Sequence, residues 1–496
     1  MKGKVHRREF SAIKDFIAFM QEPLQKTSLL IALGAGALLF VILHACYPYP
    51  DTFPDTGAYI QQAEILKFGS FRPIGFSVFL AWTHALSESF LFFRAAQFVL
   101  HFITALALFY SVVFFFRPCG GILYYGLLMA TVMHPAALYL TGVVMSDSLF
   151  ISLTYLYLAS LIWIVGRANV FFIVLNLVLI YAITQVRYTG LFYPVISALS
   201  FFLAYREKVT AALLSLLPFA VIGLLIVQTR NGTEKHIGVK MFSGFSGWQL
   251  ANNALHLIPH IQLSANEISD PEIRFVHQLV LITRDSVDYP KNDVSSDFIW
   301  NNKGPLKAVL FTSMQYTRQP YLTAWYRVSP ILGKYGSFLI KKYPLAFARW
   351  FLLINFRRLL YPDNEMFKRF ESNVPEIAKD WFHLKGEGFR PGFAPFHKTA
   401  FLLPLLNLIG WILFITAVGF AAIRWKRLSF DPRQEKIFAI LLGFVLLYSA
   451  FSVYAGPIVT RYLIPVHTTQ ALLIYSLLNT WLLRRKTFPA KDILQK

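Results

Sequence analysis

Residues 28–47 read SLLIALGAGALLFVILHACY, an apolar run that contains no acidic residue, lysine or arginine. At ~1.5 Å per residue, a helix over this run is roughly 30 Å long, which matches the hydrocarbon thickness of a bilayer. The stretch Asp51–Leu80, DTFPDTGAYIQQAEILKFGSFRPIGFSVFL, follows almost at once and carries two aspartates and an arginine. Charges beside a membrane span are costly near lipid and usually mark a site or a water-filled cavity. The sequence therefore predicts a membrane-embedded fold with a polar site next to its first span.

The composition extends this prediction to the whole chain. Of 496 residues, 56% are hydrophobic and 15% are charged, and the mean hydropathy is +0.51. Soluble domains carry about a quarter charged residues, so these values predict an all-α polytopic membrane protein in a lipid bilayer. The formal net charge is +21. Lys and Arg are scattered between apolar runs, which favours the positive-inside rule over nucleic-acid binding.

The apolar runs predict about ten transmembrane helices. They lie at about 28–47, 91–116, 121–141, 148–165, 170–186, 189–205, 209–229, 399–423, 437–455 and 463–483. The positions of the basic residues between them place the first loop, 48–90, outside the cytoplasm. Within that loop, Ile74–Phe90 is predicted to re-enter the membrane or to lie at its surface.

Three modules follow from this pattern. An N-terminal transmembrane module covers 1–229 and contains the first external loop, and a C-terminal transmembrane module covers 399–496. Between them, residues 230–398 have shorter apolar runs and more Gly, Asn, Ser and Pro, which predicts a small extracytoplasmic helical insertion. Phe338–Leu360 in this insertion mixes apolar and basic residues, and it predicts an amphipathic helix on the outer leaflet.

The first external loop holds the leading candidate residues. Asp55 begins the series Asp55-Thr56-Gly57-Ala58-Tyr59, and the loop ends in Arg72-Pro73-Ile74-Gly75-Phe76. An acid at the start of a helix is also a routine N-cap, and that alternative stays open for Asp55. A cap does not explain why Arg72 and a second acid, Asp51, accompany it in the same loop.

Three further charged residues are predicted on the same side of the membrane. Asp147 lies where one predicted span gives way to the next, and Arg187 and Arg461 lie at span ends. An arginine fork suits an anionic phosphate better than a lysine does. The alternatives are N-capping for Asp147 and snorkelling to lipid headgroups for each arginine.

The insertion offers one candidate surface for sugar contacts. Its stretch GWQLANN contains Trp248, Gln249 and Asn252, and indole and amide groups are common partners of sugar faces and hydroxyls. The alternative is a buried Trp beside a capping Asn. No motif for a protein-built metal site occurs in the sequence, so no cofactor is predicted. A divalent ion held by a substrate phosphate and one acid remains open.

These motifs together resemble the GT-C superfamily of membrane glycosyltransferases, specifically the protein O-mannosyltransferase and aminoarabinose transferase group. The pattern D-x3-Y-x3-A-x5-G runs from Asp55 to Gly69 and is followed by R-P-x-G-F, then by Ser146-Asp147-Ser148-Leu149-Phe150 and a late Arg461-Tyr462 with Pro465. The resemblance implies a GT-C-like bundle in a bacterial inner membrane. It also implies a polyprenyl-phosphate sugar donor and a lipid or glycan acceptor on the extracytoplasmic side.

The resemblance also implies roles for individual residues. Asp55 corresponds to the general base or acceptor-binding carboxylate, and Asp147 is the second catalytic candidate. Donor phosphate would be bound by Arg72, Arg187, Arg461 and Tyr462, and substrate would be contacted by Asp51 and Tyr59. Many relatives have two adjacent acids in this loop, whereas Asp51 and Asp55 are four residues apart, so the choice between them stays open.

The implied reaction is an inverting single displacement that moves one hexosyl or pentosyl group. Two alternatives remain at this stage. One is a lipid or polysaccharide translocase, a non-enzyme whose charged residues line a transport path. The other is a ligase that joins a whole lipid-linked glycan to its acceptor.

Overall fold

The computed structural model describes residues 13–118, 121–284, 293–428 and 430–487. In these residues the secondary structure is helical, and the only β contacts are two isolated bridges, Asp51 to Val143 and Asp363 to Val459. The prediction of an all-α membrane protein is confirmed. The α-helices of the transmembrane modules are Pro23–Cys46, Thr56–Ile65, Gly75–Leu86, Phe90–Phe116, Ile122–Val132, Pro135–Leu140, Asp147–Gly166, Val170–Val186, Tyr193–Ala204, Lys208–Ile237, Leu403–Leu428, Pro432–Ala455 and Ile464–Thr487.

Seven helical segments of the described residues are long and apolar enough to cross a membrane. They are Pro23–Cys46, Phe90–Phe116, Ile122–Leu140, Asp147–Gly166, Lys208–Ile237, Pro395–Trp425 and Pro432–Ala455. Val170–Val186 and Tyr188–Ala204 are apolar but shorter. A lipid bilayer environment follows from these segments, and the count of ten spans stays a prediction.

The helix Asp147–Gly166 lies at the centre of the bundle. Its most apolar window is 89% buried inside the protein, whereas that of the first span, Pro23–Cys46, is only 11% buried. Polar side chains join the central helix to its neighbours, because Trp163 donates to Ser111 at 2.9 Å and the Tyr155 and Thr468 hydroxyls lie 2.6 Å apart. Hydrogen bonds of this kind hold helices together where lipid provides no hydrophobic driving force. The first residue of this central helix is Asp147.

The middle of the chain forms a second, separate hydrophobic core. The long helix Lys208–Ile237 runs past residue 229, where the sequence predicted its end, and stops at Gly238 with a φ of 75°. The core that follows is built from helices whose buried residues fall between Trp248 and Leu339. Its α-helices are Ser246–Leu255, Pro271–Ile282, Asp297–Trp300, Pro305–Thr317 and Tyr321–Lys342.

The chain returns to the main bundle after this second core. The predicted single helix Phe338–Leu360 is divided at Pro344, which cannot donate a backbone hydrogen bond within a helix. The segment from Leu359 to Ala400 packs against the transmembrane core, and it contains short helical turns at Glu365–Lys368 and Glu376–Trp381.

Candidate functional site

Asp55 and Arg72 form an ion pair in the first loop. The two side chains meet at 2.7 Å and are 22% and 26% exposed, respectively. Asp55 occupies the N-cap position of Thr56–Ile65, but its side chain makes no capping hydrogen bond. The capping alternative therefore does not account for this carboxylate, which lies against a guanidinium and faces partly outward.

Close backbone packing explains why the R-P-x-G-F motif has a glycine, Gly75. A Cβ atom at Gly75 would lie 2.7 Å from the backbone carbon and oxygen of Gln185 and 3.0 Å from the Val186 nitrogen. Only a residue without a side chain allows this close approach. Because Arg187 follows directly, Gly75 fixes how near the Arg72 loop lies to the next arginine of the site.

Replacing Gly75 by alanine is therefore expected to displace the loop and destabilise the protein by about 1–3 kcal/mol, the usual cost of overpacking. Gly57→Ala is the matched control, since its Cβ would meet only Ile377 at an ordinary 3.7 Å. The apparent unfolding temperatures of the two variants and of wild type are measured on purified protein in detergent. Equal temperatures for Gly75→Ala and wild type would contradict the described contact.

Asp147 lies between two arginines. Its carboxylate accepts hydrogen bonds from Arg187 at 2.6 Å and from Arg461 at 2.8 Å. The Asp147 and Arg461 side chains are 3% and 6% exposed, and Arg187 is 19% exposed. Neither N-capping nor snorkelling describes these residues, because each charged group is directed at another charged group.

Tyr462 and Glu365 complete this arginine group. The Arg187 and Arg461 guanidinium carbons each lie 4.7 Å from the centre of the Tyr462 ring, and Arg461 also donates to the Tyr462 hydroxyl at 3.2 Å. The Nε atom of Arg461 lies 3.1 Å from Glu365, whose side chain is 37% exposed. Glu365 has a φ of 43°, a left-handed conformation that costs energy in a non-glycine residue. Glu365 is a site residue that sequence reasoning missed.

The Asp55–Arg72 pair and the group around Asp147 influence each other electrostatically. Burial lowers the pKa of Arg461, but Asp147, Tyr462, Glu365 and Asp55 together raise it well above its usual value. Burial also lowers the pKa of Arg72, and Asp55, Tyr59 and Tyr462 together more than offset that effect and raise it. The residues Asp55, Arg72, Asp147, Arg187, Arg461 and Tyr462 lie together at one end of the bundle, where helices begin or end and where Gly75 brings the Arg72 loop against Gln185.

Two predicted substrate contacts in the first loop are corrected. Asp51 is 4% exposed, and its carboxylate accepts hydrogen bonds from the Tyr139 hydroxyl and, at 3.0 Å, from the Glu371 amide. Burial raises the pKa of Asp51 to about 6, against the lowering effect of those hydrogen bonds. Tyr59 is 3% exposed and donates to Ser146 at 3.1 Å. Both side chains are buried, and their described hydrogen bonds hold the loop in place.

Two of the predicted sugar contacts in the insertion, Trp248 and Asn252, are corrected, and Gln249 stays a prediction. Trp248 is fully buried and stacks on Trp325 with ring centres 3.6 Å apart, so no face of its indole is open to a sugar. Asn252 is fully buried and donates to the Ser295 carbonyl at 2.9 Å. Gln249 is half-buried and donates to Asn253 at 2.9 Å. The next residue in the chain, Asn253, joins the second core to the bundle, since it donates to the Tyr454 carbonyl at 3.0 Å.

Three carboxylates and three guanidinium groups make up the site. In the described part of the chain, no group of three or more His, Cys, Asp or Glu side chains is arranged to hold a metal ion. The arrangement can bind an anion, if the anion replaces a carboxylate on an arginine, and it can accept a proton through the partly exposed Asp55. Fold and site thus define a multi-pass membrane protein with an ion-paired polar site at one end of its helical bundle. No protein-family model, curated protein or solved structure matches the chain.

Proposed function

We propose that the protein is a membrane glycosyltransferase of the GT-C type. It would transfer one sugar from a polyprenyl-phosphate donor to a hydroxyl group of a lipid or glycan acceptor. The single observation that carries this proposal is the partly exposed Asp55–Arg72 pair beside the buried Asp147 group, at one end of a membrane bundle. The resemblance of the surrounding motifs to that superfamily supports the same assignment. The extracytoplasmic face of a bacterial inner membrane is part of the proposal.

In the proposed reaction, Asp55 acts as the general base. It takes the proton of the acceptor hydroxyl as the oxygen attacks the anomeric carbon, and a bond forms between these two atoms. The bond from the anomeric carbon to the phosphate oxygen breaks, and its electron pair stays on the lipid phosphate. Attack opposite to the leaving group inverts the anomeric centre. A positioned base of this kind contributes about 10²–10⁴ to the rate.

Arg72 is the guanidinium best placed to hold the donor phosphate. Arg461 uses all three of its nitrogen atoms on Asp147, Glu365 and Tyr462. Among the described residues, Arg72 has one acidic partner, Asp55, and its side chain is 26% exposed. A phosphate that binds Arg72 competes with Asp55 for this group and thereby frees the carboxylate to act as a base. Arg187 and Arg461 then stabilise developing negative charge as fixed groups nearby.

The proposal predicts that membranes containing the protein transfer label from a radiolabelled polyprenyl-phosphate sugar to an endogenous lipid or glycan. A panel of such donors, each with a different sugar, identifies the substrate, and membranes without the protein are the control. Inclusion of a lipid-linked oligosaccharide tests the ligase alternative, because a ligase transfers the whole glycan and ignores the monosaccharide donors. Absence of transfer from every donor in the panel would contradict both enzymatic assignments.

A translocase is the second candidate, because a separate group of histidines lies inside the bundle. The rings of His134 and His467 are 5.9 Å apart, His467 contacts Asn407 at 2.5 Å, and His101 is 1% exposed. Buried ionisable groups within spans are frequent in transport paths and proton relays. A translocase moves a labelled lipid across the bilayer of liposomes without changing it chemically. Chemical analysis of the recovered lipid therefore distinguishes a translocase from a glycosyltransferase.

A further inference from the structure

The loop that carries Arg72 packs against residues 230–398, which we call the middle region. Tyr326 donates to the Ser70 carbonyl at 3.0 Å. A Cβ atom at Gly232 would lie 2.7 Å from the Phe68 ring, so the glycine lets the long helix approach the loop closely. Gly69 has a φ of 100° and lies against Ile237, near the end of that helix. The backbone before Arg72 is thus held by residues that follow it by more than a hundred positions.

The arginine itself contacts an aromatic ring. The Arg72 guanidinium carbon lies 5.1 Å from the centre of the Phe245 ring, within the range of a cation–π contact. Phe71, the preceding residue, packs its ring edge against Trp325 with ring centres 4.9 Å apart. Phe245 stacks on Trp300 at 5.9 Å and on Trp325 at 6.4 Å. The rings form one aromatic cluster, which consists of Phe71, Phe245, Trp248, Trp300, Tyr321 and Trp325.

A buried lysine stabilises this aromatic cluster from within. Lys307 is 3% exposed, donates a hydrogen bond to the Tyr321 hydroxyl, and lies 4.7 Å from the centre of the Trp325 ring. Burial lowers the pKa of Lys307. In the part of the chain that the structure describes, its ammonium group faces aromatic rings and not a carboxylate. Cation–π contacts to several rings favour one arrangement of those rings over others.

We propose that the middle region positions Arg72 for the donor phosphate, with Phe245 as the positioning residue. The inference rests on the proposed function, because it names what Arg72 is positioned to bind. A cation–π contact with a ring restricts the rotation of an arginine side chain, and a guanidinium held in one position can make a bidentate contact with phosphate. Phe245 supplies that ring, and the aromatic cluster around Lys307 keeps Phe245 in place. Without the ring, the Arg72 side chain has more rotamers available and meets the phosphate less often in a binding geometry.

The test compares Phe245→Leu, Phe245→Tyr and Phe275→Leu in the full-length protein. Phe275 is a matched control, since it is 42% exposed on a helix of the same core and has no part in the cluster. Two quantities are measured for each variant: the Kd for polyprenyl monophosphate, which requires no transfer, and the KM for the donor. We expect Phe245→Leu to raise both roughly tenfold, and Phe245→Tyr and Phe275→Leu to stay within about twofold of wild type.

The outcomes separate this inference from the proposed function. If wild type binds polyprenyl monophosphate and transfers sugar, but Phe245→Leu has unchanged Kd and KM, only the positioning role is overturned. Equal losses in Phe245→Leu and Phe245→Tyr also overturn it, because they indicate a packing requirement without a cation–π contribution. Failure of wild type to bind polyprenyl monophosphate overturns the proposed function and this inference with it. If Phe245→Leu does not fold, Phe245→Met replaces it as the variant without a ring.

Discussion

Replacing Asp55 by asparagine is expected to lower the rate of sugar transfer by about 10²–10⁴-fold while the protein stays folded and membrane-inserted. Asparagine keeps the size of the side chain and can still accept a hydrogen bond from Arg72, which lies 2.7 Å from the carboxylate in the structure. It cannot take a proton from the acceptor hydroxyl. The measurement is the initial rate of label transfer in membranes that contain equal amounts of each protein.

Asp51→Asn is the matched control for this experiment. It makes the same substitution in the same loop, but Asp51 is buried and its carboxylate is occupied by Tyr139 and the Glu371 amide. We expect Asp51→Asn to transfer sugar within about threefold of wild type, because the group does not touch the reacting atoms. The reverse result, an inactive Asp51→Asn and an active Asp55→Asn, would show that the base has been assigned to the wrong acid.

Replacing Asp147 by alanine is expected to lower the free energy of unfolding by about 3–5 kcal/mol. The substitution leaves the positive charges of Arg187 and Arg461 close together without the carboxylate between them, and only Arg461 keeps a described acid partner, Glu365. Transfer should be lost as well, since Arg187 and Arg461 no longer have fixed positions. Unfolding of the purified protein in detergent measures the change.

A triple variant separates the structural from the functional part of this group. Asp147→Leu combined with Arg187→Leu and Arg461→Met removes all three charges, and replacement of a complete buried ion pair by apolar residues is often neutral or stabilising. We therefore expect a free energy of unfolding within about 1–2 kcal/mol of the wild-type value, together with loss of sugar transfer. If the single Asp147→Ala variant unfolds like wild type, the contacts of Asp147 with the two arginines do not contribute as described.

The membrane fold could be predicted well from the sequence, because a span requires a long apolar run and little else. The predicted start of the helix at 148 and the observed start at Asp147 differ by one residue. The limits of Lys208–Ile237 were harder to predict, since the helix continues as a polar segment after its apolar part ends. The continuation packs against the first loop, as the approach of Gly232 to Phe68 shows, and no local sequence pattern indicates such contacts.

The site residues that the sequence could group are those that share a loop or a span end. The sequence puts Asp55 and Arg72 in one loop, but their ion pair is seen only in the structure. Glu365 could not be found, because it comes from an irregular segment and reaches Arg461 only through the packing of that segment on the bundle. Trp248 shows the opposite error: a Trp in a core and a Trp in a sugar site look alike in sequence. Only the 3.6 Å stacking on Trp325 identifies it as a core residue.

The most direct test of the central claim follows the lipid product. Purified wild-type protein and the Asp55→Asn variant are reconstituted into liposomes with the polyprenyl-phosphate donor and acceptor that the panel identifies. The release of free polyprenyl phosphate is then measured with and without acceptor. The proposed mechanism predicts release by wild type that depends on acceptor and equals the amount of glycosylated product, with almost none from Asp55→Asn. Equal release by both proteins, or release that does not depend on acceptor, would contradict it.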